Sequence, residues 1–174
     1  MSVLPNGSSS SVPNPNGTTQ SGGTGTPPET AEVQFLTMVL AGQLCGVPVL
    51  SVRDVLANQT IARIPLAPRE VAGNLNLRGR IVTAIDLRQL LQLPPRQPGD
   101  KQMSIVTEQG SELYALQVDH VREVVTMKRS AMEPNPPTLP ALWAEHSQGI
   151  YRVEKQLLVI LDVHRLLSFE LAAA

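Results

Sequence analysis

The chain has one cysteine in 174 residues, Cys45, so an internal disulfide is excluded. Its neighbours are apolar and lack the basic, exposed setting that activates a thiol, so Cys45 reads as a small buried residue in a strand. Aromatic residues make up only 3%. That removes the stacking platforms of single-strand nucleic-acid binders. There is no basic run, and 14 basic against 15 acidic residues leave a net charge of −1. Nucleic acid is therefore not expected as the partner. No apolar run approaches the ~20 residues that span a bilayer. The first residues lack the basic start and apolar core of a secretory signal. A cytoplasmic protein with no direct membrane insertion is expected. His120, His146 and His164 are scattered without His-x-x-x-His or Cys-His spacing, so no zinc site is expected. Gly22-Gly23-Thr24-Gly25 has no following lysine or helix, and no Gly-x-Ser-x-Gly occurs, which argues against a phosphate loop and a serine-hydrolase elbow. No cofactor is implied.

What is present divides into two parts. Residues 1–31 are Ser, Gly, Asn, Thr and Pro with few apolar side chains, the composition of a disordered tail. From residue 32 to 171 the chain says one thing twice. Val52-Arg53-Asp54-Val55 returns as Val121-Arg122-Glu123-Val124, 69 positions on. Ile85-Asp86-Leu87 returns as Leu161-Asp162-Val163, 76 positions on. Two ordered matches at similar offset indicate a duplicated unit of roughly 70 residues.

Each unit reads as about five short strands and one helix. Phe35–Leu40 and Leu44–Val49 form a hairpin, and Val52–Leu56 and Ile61–Ile64 are further apolar, β-branched segments. Pro68–Ala72 suits one helical turn with Gly73 as its terminator. Leu75 and Leu77 alternate with polar residues as in a half-buried strand, Arg78-Gly79 suits a tight turn, and Ile81–Ile85 is a central strand. Asp86 is placed to cap a short helix. Pro94–Gly99 is a linker. The second unit repeats the plan with strands at Met103–Val106, Leu113–Val118, Val121–Met127, Ile150–Val153 and Leu157–Leu161. Gly149 stands in the place of Gly73, and Asp162 caps a last helix as Asp86 did. The predicted fold is mainly β: two small five-stranded barrels, the first about 33–93, a linker 94–101 and the second about 102–171. A unit of this size is marginal alone, so the two are expected to share a core.

Gly73-Asn74-Leu75-Asn76-Leu77-Arg78-Gly79-Arg80-Ile81-Val82 followed by Ile85-Asp86-Leu87-Arg88 resembles the signature of CheW-type chemotaxis coupling proteins. The resemblance runs from about Val33 to Leu171 in four ordered blocks. It departs from the family pattern at Asp54, often Glu, at Thr83-Ala84, and in the long amino-terminal extension. It implies two SH3-like five-stranded barrels and a non-enzymatic adaptor. The implied partners are the regulatory domain of a CheA-type histidine kinase and the cytoplasmic tip of methyl-accepting chemoreceptors. It implies recruitment to membrane-associated receptor arrays. An adaptor of a chemosensory pathway with a non-flagellar output fits the same residues.

The candidate binding residues are Arg78, Asp54, Val52, Gly73, Asn76, Leu77, Val121 and Val124. Arg78 follows a strand and precedes a glycine, which exposes it at a hairpin end where its guanidinium can take a carboxylate in bidentate fashion. An internal pair with Asp54 is the other reading, and the two are compatible. By resemblance, the matching arginine of the family serves receptor binding. Val52, Asp54, Val121 and Val124 read either as strand core with one exposed acid or as the wall of an apolar groove between the barrels that accepts a receptor helix. Gly73 and Asn76 read as structural first, serving a backbone turn and nearby backbone groups. Asp86 and Asp162 form a possible carboxylate pair for hydrolysis, although each has a helix-capping role. A small double-barrel hydrolase and a nucleic-acid module are the remaining alternatives from other classes.

Overall fold

The computed structural model describes residues 30–172. Most of the expected amino-terminal tail therefore lies outside the described residues, as do Ala173 and Ala174. Ten strands and three short helices follow in order. In the first repeat these are β1 (Glu32–Leu40), β2 (Gln43–Pro48), β3 (Val52–Leu56), β4 (Val71–Leu77), β5 (Arg80–Asp86) and α1 (Leu87–Leu90). In the second they are β6 (Met103–Gln109), β7 (Glu112–Val118), β8 (His120–Lys128), α2 (Ala141–Glu145), β9 (Ser147–Val153), β10 (Gln156–Leu161) and α3 (Val163–Ala172). The fold is mainly β, built of two five-stranded units as the duplication predicts, and SH3-like as the family resemblance implies.

The units do not divide at the linker. One sheet runs β8-β1-β2-β10-β9 and the other β3-β6-β7-β5-β4. Residues 33–93 and 102–171 each contribute to both sheets, which corrects the expected barrel boundaries. Replacing every strand by its repeat mate converts one order into the other. Each repeat thus lends its first hairpin to the sheet of the other. The physical cause is pairing at both flanks of the lent hairpin: β1 pairs with β8 and β2 with β10, while β6 pairs with β3 and β7 with β5. Neither half can complete a sheet without the other.

This exchange explains the continuous apolar runs. In β10, Leu158 and Ile160 enter the core of the first sheet, while Val159 and Leu161 enter a core shared by both sheets. In β7, Leu113 and Ala115 enter the core of the second sheet, and Tyr114, Leu116 and Val118 the shared one. A strand buried on both faces loses period-2 alternation and reads as unbroken hydrophobicity.

The loop leaving edge strand β3 reaches the opposite edge β4 through one antiparallel bridge, Ala62 to Asn74. The loop leaving β8 reaches β9 in the same way, Glu133 to Ile150. Ile61–Ile64 is therefore no independent strand; only Ala62 pairs. Nor is Pro68–Ala72 a helical turn. A turn closes with Val71 N–H donating to the Pro68 carbonyl at 3.0 Å, and β4 starts at once as Val71 pairs with Ile85.

Gly73 is not a terminator. It lies inside β4 at a bulge with φ +148°, and an added Cβ would stand 2.1 Å from the Ala62 carbonyl oxygen. Gly149 repeats this in β9, with φ +155° and a Cβ 2.8 Å from the Glu133 carbonyl oxygen. These positions need glycine because two backbones touch where each sheet closes on itself.

Cys45 is fully buried, and its thiol donates to the Met38 carbonyl at 3.7 Å. Burial, and then the negative charge of Asp119, push the thiol far above its usual range. A thiol reagent is expected to leave native Cys45 unmodified and to label it in urea, followed by mass spectrometry. Labelling of the native protein at the rate of a free thiol would contradict this burial.

Candidate functional site

The β4–β5 hairpin closes with Leu77 paired to Arg80 and two residues between them. Both have positive φ, +50° at Arg78 and +84° at Gly79, as in the two-residue turn whose twist matches antiparallel strands. Glycine accepts that backbone freely; arginine does not. Asn76 supports the turn, its Oδ1 accepting from the Gly79 N–H at 2.9 Å. The turn lifts Arg78 out of the sheet, leaving its side chain 84% exposed.

Asp54 faces this turn from β3. Its Oδ2 lies 3.5 Å from Arg78 Nη2, and its Oδ1 accepts from the Val55 N–H at 2.8 Å. A bulge between Val52 and Asp54 shifts the register against β6. Next to it, Arg53 Nε lies 3.3 Å from Glu108 Oε2. These charged groups, with Arg80, surround a cleft of about 190 Å³ over the buried Val106 and Leu113, and Leu77 forms part of its wall. The cleft belongs wholly to the second sheet.

Asp54, Asn76, Leu77 and Arg78 are thus brought together, and Arg78 pairs with Asp54 while its side chain stays largely exposed. The other candidates lie elsewhere. Val52 and Val121 are half-buried and pack against the shared core. Val124 is on β8 in the first sheet, opposite Leu36, and 51% exposed. Gly73 sits five residues before Arg78, about 16 Å from the turn at ordinary strand rise.

Asp86 and Asp162 do cap helices. Asp86 Oδ1 accepts from the Arg88 N–H at 3.0 Å, and Asp162 Oδ1 from the Arg165 N–H at 3.2 Å.

One cluster escaped the sequence reading. Asp119 is the single residue joining β7 in the second sheet to β8 in the first, and it is buried. Its Oδ2 accepts from Arg88 Nη2 at 2.7 Å and from the Ala41 N–H at 2.8 Å; its Oδ1 accepts from Arg88 Nε at 3.0 Å and Arg96 Nε at 3.1 Å. Arg96 also lies 3.4 Å from Asp86. One carboxylate thus ties together the hairpin turn of one sheet, the helix after β5 and the interrepeat linker. Burial by itself would raise this carboxyl. The bonds from Arg88 and Ala41 and the charges of Arg88 and Arg96 outweigh that and hold it below the usual carboxylate range. The available sequence signal was a lone acid inside the repeat where the first unit has Leu50, an exception that the repeat alone could not interpret.

Among the described residues no helix is long and apolar enough to cross a membrane. Residues 34–170 match the CheW-like domain family model. The chain is 28% identical over 142 residues to the chemotaxis protein CheW of Klebsiella aerogenes, covering 82% of this chain and 86% of that one. It is 27% identical over 142 residues to the chemotaxis protein CheW of Treponema pallidum, covering 79% and 83%. The crystal structure of the scaffolding protein TtCheW from Thermoanaerobacter tengcongensis superposes with a TM-score of 0.70 at 28% identity, over 78% of this chain and 88% of that one. The exchanged double sheet, the Arg78 turn and these matches lead to one assignment: the chain belongs to the CheW-like family, non-enzymatic scaffolds that couple chemoreceptors to a CheA-type histidine kinase in chemotaxis signalling.

Proposed function

We propose that the receptor docks at the end of the second sheet around Arg78, Asp54, Asn76 and Leu77, and that the partner there is the helical cytoplasmic tip of a methyl-accepting chemoreceptor. The observation that carries this is the Arg78 side chain, held in a left-handed turn, aimed at Asp54, yet largely exposed. The pair costs the arginine little of its hydrogen-bonding capacity, because a guanidinium carries five donors. Val52 and Val121 pack against the shared core, Gly73 fixes β4, and Val124 offers an apolar anchor on the first sheet. A second surface binds the regulatory domain of the kinase. The chain works in the cytoplasm and is recruited to receptor arrays at the membrane. As a bridge it acts through the coupling free energy between its two partners, which is reciprocal. Multivalent assembly turns modest pairwise affinities into a stable array.

Arg78→Ala, folded by circular dichroism, is expected to lower receptor-dependent kinase activation by at least about tenfold, the scale of a central interface arginine. Binding to the isolated kinase regulatory domain, followed by calorimetry, is expected to stay near one-to-one and unchanged. Activation equal to wild type would remove Arg78 from the docking site.

A further inference from the structure

Three arginines border the cleft at the end of the second sheet, but only two have a carboxylate. Arg53 pairs with Glu108 and Arg78 with Asp54. Arg80, the first residue of β5, makes one bond: its Nη2 donates to the Ser111 carbonyl at 3.3 Å, near the outer limit for such a bond, and in an exposed position. It pairs with no carboxylate among the described residues. Glu112 borders a neighbouring hollow together with Arg80, but its Oε2 accepts from the Tyr114 hydroxyl at 3.0 Å and forms no ion pair with Arg80. The cleft therefore carries one positive charge more than its own acids balance. At about 190 Å³ it is smaller than the ~300–1,000 Å³ of a small-molecule site. It has the size for a side chain, with apolar Leu77, Val106 and Leu113 to take the methylene stem and guanidinium groups to take a charged end.

We propose that Arg80 recognises a carboxylate, a Glu or Asp side chain of the receptor helix that docks beside Arg78. The proposal rests on the docking site proposed above and adds the chemistry of the contact. The chain's own geometry supports it in two ways. Arg80 stands between two hairpin turns, Arg78–Gly79 and Gly110–Ser111, so its head group is presented by two fixed loops. Its single bond, long at 3.3 Å and exposed, is given up at little cost when a carboxylate arrives, since a carboxylate can take the guanidinium through two parallel bonds.

The test is titration of a receptor cytoplasmic fragment from the same organism into the full chain, wild type and variant, at low and high salt. Arg80→Gln leaves the fold intact, because its side chain is exposed. It is expected to weaken receptor binding about tenfold, to reduce its salt dependence, and to leave binding of the kinase regulatory domain unchanged. One Glu→Gln or Asp→Gln change in the receptor tip is expected to be non-additive with Arg80→Gln. Wild-type affinity of Arg80→Gln alongside weakened Arg78→Ala would overturn the role of Arg80 and leave the docking site standing. Wild-type affinity of both would overturn the docking site and the proposal with it. Loss of kinase binding with receptor binding intact would overturn the receptor carboxylate as the occupant.

Discussion

Asp119→Ala is expected to lower the unfolding free energy by about 3 kcal/mol, because it leaves the half-buried Arg88 and Arg96 guanidinium groups without their shared carboxylate. That is a large fraction of the ~5–15 kcal/mol that holds a domain folded. The loss is not a matter of one ion pair. The Ala41 N–H loses its acceptor, and the linker loses one of its anchors. Glu133→Gln serves as the comparison. It removes the exposed Arg152–Glu133 pair, whose side chains are 67% and 44% exposed, and is expected to cost less than about 1 kcal/mol. Urea midpoints at constant m decide between them. Equal midpoints for the two variants would show that the junction carries no special stability. The pH dependence has a definite sign. The folded-state pKa of Asp119 is lowered, so its contribution is complete above the unfolded value of about 3.9 and is lost as pH falls through the lower folded value. Wild-type stability is therefore expected to fall below about pH 4, with a shallower decline in Asp119→Ala.

Gly73→Ala is expected to cost about 3 kcal/mol and Gly149→Ala distinctly less. At Gly73 the new Cβ meets the backbone oxygen of Ala62 at 2.1 Å, and a backbone oxygen cannot step aside without opening the bridge. That bridge holds two hydrogen bonds, Ala62 N–H to the Asn74 carbonyl at 2.8 Å and Asn74 N–H to the Ala62 carbonyl at 2.9 Å. Each is worth about 1 kcal/mol, and the positive φ adds about 1–2 kcal/mol of strain for a residue with a side chain. At Gly149 the nearest backbone oxygen is 2.8 Å away and the other close atoms belong to the flexible Met132 side chain. Thermal unfolding of the two variants tests the order. A reversed order would mean that the closure at β9 is the tighter one. Because Gly73 leads along β4 to the Arg78 turn, its variant is also expected to weaken receptor binding more than Gly149→Ala does.

Much of the molecule was readable along the chain because it depends on neighbours in sequence. The duplication, nearly all the strands, the Arg78–Gly79 turn and the caps at Asp86 and Asp162 arise from turn chemistry, local hydrogen bonding and short-range hydrophobic pattern. The pairing of Arg78 with Asp54 was open to reasoning as well, since the repeat and the hairpin made both charges candidates for one strand end. Gly73 shows where this reasoning stops. A glycine after Pro68–Ala72 looks like a terminator, and only the approach of Ala62 from across the sheet reveals why no side chain fits.

The sequence by itself determined a duplicated β protein of the CheW-like family, because propensity, period and motif are local properties that each repeat states separately. The tertiary structure alone decided how the repeats combine. An unbroken run such as Leu158–Leu161 records burial on both faces without naming the neighbours, so the hairpin exchange could not be deduced from it. The tertiary structure also decided where the symmetry breaks. Leu50, 94% exposed, and Asp119, buried under two arginines, occupy equivalent places in the repeats. Only the convergence of Arg88, Arg96 and Ala41 from distant positions made one of those places a bonded junction and left the other exposed.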